Sequence, residues 1–113
     1  MKEIKAYIKP NRLSAVTMAL HKIEGLTGLS VTDVRGFGRS RAAAARHRVA
    51  DDLTDFAPHM KIEIVCHDDL VGTIVDVIQK TAHTGLRGDG KIYISSVEDA
   101  LRIQTGERGQ NGV

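Results

Sequence analysis

One order of patterns occurs twice in this 113-residue chain, and that repetition constrains the fold more than any other feature. Glu3–Lys9 alternates Ile4, Ala6 and Ile8 with Glu3, Lys5, Tyr7 and Lys9. That is the period of a strand with one buried face. Pro10 stops it, and Asn11 is a candidate helix N-cap. Leu13, Val16, Leu20 and Ile23 then recur at helical steps, and Gly25 supplies a left-handed stop. Leu29–Gly38 reads as a second strand. The series then starts again, with Lys61–Cys66 as a strand and Asp68 and Asp69 as candidate caps. Val71, Ile74, Val75 and Ile78 line one helical face, and Lys91–Val97 is a last strand. Two strand-helix-strand units of this size predict an α+β, ferredoxin-like split βαβ sandwich. It would hold a four-stranded antiparallel sheet with both helices on one face, in a single domain spanning 1–113. The uncovered face, with Tyr7, Val65 and Tyr93, favours a closed homo-oligomer.

Composition narrows the classes. Hydrophobic residues make up 42% and charged residues 27%, as in an ordinary globular chain. A net charge of +2 does not announce a nucleic-acid partner. The one cysteine, Cys66, excludes an internal disulfide and points to a reducing, cytoplasmic setting. No apolar run approaches the ~18 residues of a membrane span. The opening residues are alternating and charged, unlike a signal peptide. His47, His59, His67 and His83 are spaced by 12, 8 and 16 residues, which matches no zinc pattern, so no metal site is expected.

Two stretches resist the simple pattern. Residues 39–60 carry no clean period, and so long a connection in a small domain points to a projecting functional loop. The stretch Thr81–Lys91, TAHTGLRGDGK, holds three glycines among charged residues. Glycines let main-chain amides approach a phosphate without Cβ obstruction. Gly88 and Gly90 around Asp89 can form such a concavity, and Lys91 adds a compact positive charge. Arg39 and Arg102 can reach phosphate oxygens with forked hydrogen bonds. The spacing is not that of a Walker A loop, and a plain tight turn into a strand is the competing reading.

Five segments together resemble the PII signal-transduction family, the nitrogen regulatory P-II proteins. They are IKP near the start, GFGR (Gly36–Arg39), KIEIV (Lys61–Val65), TGLRGDGKIYI (Thr84–Ile94) and RIQTGE (Arg102–Glu107). The resemblance implies a homotrimer of ferredoxin-like subunits that binds ATP, ADP or AMP in clefts between subunits. No cofactor is obligatory, and Mg²⁺ enters only with ATP. Carried over position by position, Gly36, Arg39, Gly88, Asp89, Gly90, Lys91 and Arg102 match nucleotide-contacting positions. Thr27, Gly28 and Ser30 match the base and ribose side, with Glu63 and Val65 lining the cleft. The loop of residues 39–60, with Arg41, Arg46, His47, Arg48 and Asp52, would touch a target protein. That target would be a membrane transporter or an enzyme of nitrogen metabolism. Residues 103–113 form a C-terminal tail.

The departures from the family pattern are as informative. Asp52 and His47 stand where loop tyrosines occur in enteric members, so this is a divergent member that cannot be uridylylated there. Ser40 and His59 replace a glutamine and a lysine associated with 2-oxoglutarate, which implies weak binding of that ligand or none. Gln104 stands where an arginine is usual, which tilts preference toward ADP or AMP. The implied role is a regulator that senses adenine nucleotide and is not an enzyme. A small phosphate-ester or acyl-phosphate enzyme on the same fold is the alternative, and an RNA-binding module a third. The enzyme needs a positioned nucleophile or base, and the RNA binder needs more sheet aromatics than Tyr7 and Tyr93.

Overall fold

A computed structural model describes residues 1–36 and 57–113 of the chain. Four strands form one sheet: β1 (Lys2–Ile8), β2 (Ser30–Gly36), β3 (Ala57–Cys66) and β4 (Lys91–Ser96). Two helices, α1 (Leu13–His21) and α2 (Val71–Ala82), complete it. The sheet order is β2-β3-β1-β4 and every pairing is antiparallel, which is the expected ferredoxin-like sandwich.

The period-two reading of β1 sets its register. Ile4, Ala6 and Ile8 are buried, while Glu3, Lys5 and Tyr7 fall on the other face. Opposite them, Ile62, Ile64 and Cys66 of β3 are also buried. Val16 and Leu20 of α1 and Ile74, Ile78 and Ala82 of α2 close this layer from one side of the sheet. These aliphatic side chains leave water together, at roughly 1.5–3 kcal/mol for each large one. Burial also raises the Cys66 thiol pKa, which keeps the group an inert hydrophobe. Arg12 ties the two helices together: its Nε and Nη2 donate to the Thr81 carbonyl at 2.9 and 2.5 Å. That places a cation among the carbonyls of the last turn of α2, where the helix dipole favours it.

Three local expectations change. Asn11 is no N-cap; it lies within a 3₁₀ turn, Pro10–Arg12, that leads straight into α1. Asp68 and Asp69 likewise begin a 3₁₀ turn before α2 without side-chain capping. Asp68 instead pairs with the Met1 amino group at 2.8 Å, and that contact lowers its pKa. Third, β3 begins at Ala57, four residues earlier than its alternation suggests. Pro58 is tolerated because β1 pairs with β3 only from Met60 onward, so Pro58 has a strand on one side alone.

The face away from the helices carries Tyr7 and Tyr93, edge to face with centroids 6.2 Å apart. Lys61 and Glu63, 3.1 Å apart, share it, and this contact raises the Lys61 pKa. Among the described residues, no helix is long and apolar enough to cross a membrane.

Candidate nucleotide site

The glycine turn between α2 and β4 is built around Asp89. One carboxylate oxygen, Oδ2, accepts from the Thr84 amide at 2.8 Å and the Gly85 amide at 3.0 Å. The other, Oδ1, accepts from the Thr84 hydroxyl and lies 3.2 Å from Lys9 Nζ. His83 Nδ1 sits 3.6 Å from Oδ2. The Thr84 hydroxyl bond, followed by the amide bonds and Lys9, drives the Asp89 pKa far below the usual carboxylate range.

Backbone geometry explains the glycines. Gly88 has φ +84° and Gly90 φ +103°, a region that favours glycine. Gly90 is the tighter case. A Cβ there would lie 1.7 Å from the Tyr7 carbonyl oxygen and 2.7 Å from its carbon. The main chain of the turn therefore rests on the end of β1. The amides of Thr84, Gly85 and Leu86 are engaged inside the turn. That of Gly88 donates to no other group among the described residues, whereas the turn at Arg87 and Gly88 directs the Asp89 amide back toward the Leu86 carbonyl. Lys91 follows as the first, exposed residue of β4. A cleft of ≈ 310 Å³ opens here, with Ile8, Ile78, Gln79, His83 and Lys91 among its walls. Gly36, at the end of β2, lies at the same end of the sheet.

The remaining expected positions gather elsewhere. Thr27, Gly28, Ser30, Glu63 and Val65 line one groove of ≈ 750 Å³ together with Glu3, Asp99 and Leu101. Arg102 lies next to Leu101, its Nη2 donating to the Val113 carbonyl at 2.8 Å. Asp99 holds this segment in place. It accepts from Arg108 Nε at 3.1 Å and from the Ala100 and Gly109 amides at 2.9 and 3.1 Å. The Arg108 contact is the largest cause of its lowered pKa.

The turn and the groove lie at opposite ends of the sheet. Lys91 pairs with Tyr7 and Val65 with Glu3, so four residues of β1, roughly 13 Å, separate them. Within one chain the structure gathers Gly88–Lys91 at one end of the sheet and the groove residues, with Arg102 beside them, at the other, while Gly36 ends β2 at the edge opposite β4. Arg39, Arg41, Arg46, His47, Arg48, Asp52 and Ser40 lie outside the described residues. No group of three or more His, Cys, Asp or Glu suited to a metal ion occurs among the described residues.

Sequence reasoning missed three neighbours of the turn. Lys9 and Thr84 are 75 residues apart, yet Lys9 Nζ donates to Thr84 Oγ1 at 3.0 Å. His59 is the third: its Nε2 lies 3.4 Å from the Gly88 carbonyl and its Nδ1 3.4 Å from that of Ala57. Thr84 sits within the quoted TGLRGDGK string, so a hydroxyl flanking a glycine turn was the available signal. Lys9 lies in the IKP segment and His59 at a ligand-associated position of the family, but nothing local places either at this turn.

Fold and site together define an α+β sandwich with a glycine-rich turn packed on one end of its sheet. Comparison with known proteins agrees with the family resemblance. The sequence pattern of the family described as Nitrogen regulatory protein P-II matches residues 1–107. The Nitrogen regulatory protein P-II of Bradyrhizobium diazoefficiens is 48% identical over 113 residues, the whole of both chains. That of Azospirillum brasilense is 45% identical over the same full length. The Nitrogen regulatory protein P-II 1 of Escherichia coli is 50% identical over 107 residues, 95% of each chain. The chain belongs to the nitrogen regulatory P-II family. Its relatives are named as regulatory proteins, not as enzymes.

Proposed function

We propose that three copies of the chain assemble so that the glycine turn of one faces the groove of the next, with an adenine nucleotide held between them. The phosphates lie against the Gly88–Lys91 turn, with Gly36 and Arg39 nearby and Arg102 contributed by the neighbouring copy. The base and ribose lie in the groove of Thr27, Gly28, Ser30, Glu63 and Val65. ATP, ADP or AMP fits this plan, with Mg²⁺ present only as the counter-ion of ATP. Binding biases the segment between β2 and β3 among conformations, and that segment carries the signal to a target protein. A transporter or an enzyme of nitrogen metabolism is the proposed class of target.

The observation that carries this reading is the division of chemistry between the two ends of the sheet. The turn offers the Gly88 amide, without a partner among the described residues, and an exposed lysine. The groove contains Glu3, Glu63 and Asp99, each paired with a cation (Lys5, Lys61 and Arg108), so it presents little net charge to a polyphosphate. It suits the neutral, donor-bearing ribose and adenine. Each end holds half of what a nucleotide needs, and the halves lie roughly 13 Å apart along β1 within one copy.

Titration calorimetry with ATP, ADP and AMP tests the assignment. Lys91→Ala and Arg102→Ala each remove one charge-assisted contact of roughly 1.5–3 kcal/mol, so affinity should fall at least about tenfold. Unchanged affinity in both variants refutes it.

A further inference from the structure

Asp89 is an acidic residue in the middle of a turn suited to anions, and a carboxylate there repels phosphate unless it is neutralised. Both of its oxygens are occupied within the fold: Oδ2 by the Thr84 and Gly85 amides, Oδ1 by the Thr84 hydroxyl and Lys9. The Thr84 hydroxyl is in turn fully used. It donates to Asp89 and accepts from the Leu86 amide at 3.1 Å and Lys9 Nζ at 3.0 Å. A hydroxyl has one proton and two lone pairs, so every capacity it has is taken up. Lys9 itself starts from a constrained backbone. Pro10 holds it extended, at φ −65° and ψ 140°. The ammonium thus links the end of β1 to both Thr84 and Asp89.

We propose that Lys9, Thr84 and Asp89 are positioning residues that lock the turn so that the Gly88 amide is presented to the ligand's phosphates. The inference rests on the nucleotide reading above and deepens it. The Asp89 side chain touches no ligand atom; it collects the Thr84 and Gly85 amides inward and leaves that of Gly88 outward. Lys9 neutralises Asp89, so its charge is not available to the phosphates. Lys91 and the arginines carry that task. The lock fastens the turn to β1 at two points, the Lys9 ammonium and the contact of Gly90 with the Tyr7 carbonyl.

The test combines two readouts on the full-length protein. Amide hydrogen exchange at Thr84, Gly85 and Leu86, measured without ligand, reports the lock. Calorimetry with ATP and ADP reports its consequence. Thr84→Val keeps the shape and removes all three hydroxyl bonds. Exchange at these amides should quicken about tenfold or more, and affinity should fall about tenfold. Thr84→Ser should restore both. Lys9→Met should do the same in smaller measure, about threefold, and leaves the turn's own bonds in place should Thr84→Val fail to fold. Lys91→Ala should lower affinity with no change in ligand-free exchange. Lost affinity in Thr84→Val with unchanged exchange overturns the lock, because the hydroxyl would then meet the ligand directly. Faster exchange with unchanged affinity overturns its role in binding. If the wild-type protein binds no adenylate, the nucleotide reading fails and takes the binding role with it. Exchange in the ligand-free variants still decides the lock separately.

Discussion

Gly90→Ala tests the turn's construction at its least forgiving point. The new Cβ would stand 1.7 Å from the Tyr7 carbonyl oxygen, 2.7 Å from its carbon and 3.4 Å from the Ile8 nitrogen. All three are backbone atoms in or beside β1, so no side chain can swing aside. The residue also keeps φ +103°, which costs about 1–2 kcal/mol for any L side chain. Relieving the contact means moving the start of β4 off β1, beginning with the Lys91–Tyr7 pair. Each hydrogen bond lost there adds about 0.5–1.5 kcal/mol. The expected destabilisation is about 2–4 kcal/mol. With a urea slope of about 1–3 kcal/mol per molar, the unfolding midpoint falls by roughly 0.7–4 M at equal protein concentration. Two companions calibrate it. Gly88→Ala bears the left-handed strain, with only Lys9 Cε at 3.8 Å from its Cβ, and should lose about 1–2 kcal/mol. Gly28→Ala meets nothing within 4 Å and should stay within about 0.5 kcal/mol of the parent. A Gly90→Ala protein as stable as Gly28→Ala would refute this account of the turn.

Two other expectations follow from charge and loop chemistry. The pKa values of Asp89 and Asp99 are lowered in the folded chain, so both bind protons more readily when unfolded. Their stabilisation is complete above the ordinary aspartate pKa of about 3.9 and is lost as pH falls through their folded values. Asp89→Asn should therefore flatten the acid side of a stability-versus-pH curve, and an unchanged curve contradicts the role given to its carboxylate. ATP and ADP differ by one phosphate, or one or two charge-assisted contacts of about 1.5–3 kcal/mol each. Hydrogen exchange over residues 40–56 should differ between the two complexes, and identical protection would defeat the switching idea.

Much of the architecture was legible because β1 and the core half of β3 alternate cleanly and α2 carries Ile74 and Ile78 one turn apart. The helix starts were not, because a 3₁₀ turn leads into each helix where a capping side chain was expected. The first residues of β3 carry a proline and no alternation, and their pairing with β2 is set by the sheet rather than by local pattern. The glycines of the turn announced themselves, since Gly88 and Gly90 occupy conformations that few other residues adopt. What held the turn did not. Lys9 and His59 reach it only through the fold, from the end of β1 and the start of β3. Asp89 drew attention for its place between two glycines, and its partners place it inside the turn. The groove residues Thr27, Gly28, Ser30, Glu63 and Val65 converge in space although no local pattern joins them.

The central claim is that neighbouring copies build one nucleotide site from a turn and a groove that lie apart in each chain. Native mass spectrometry in the presence of ATP or ADP measures both halves of that claim at once, by counting chains and ligands in one assembly. Three chains carrying up to three nucleotides, with occupancy reduced in Lys91→Ala, is the predicted result. A monomer that binds one nucleotide by itself, or a trimer that takes up none, would contradict it.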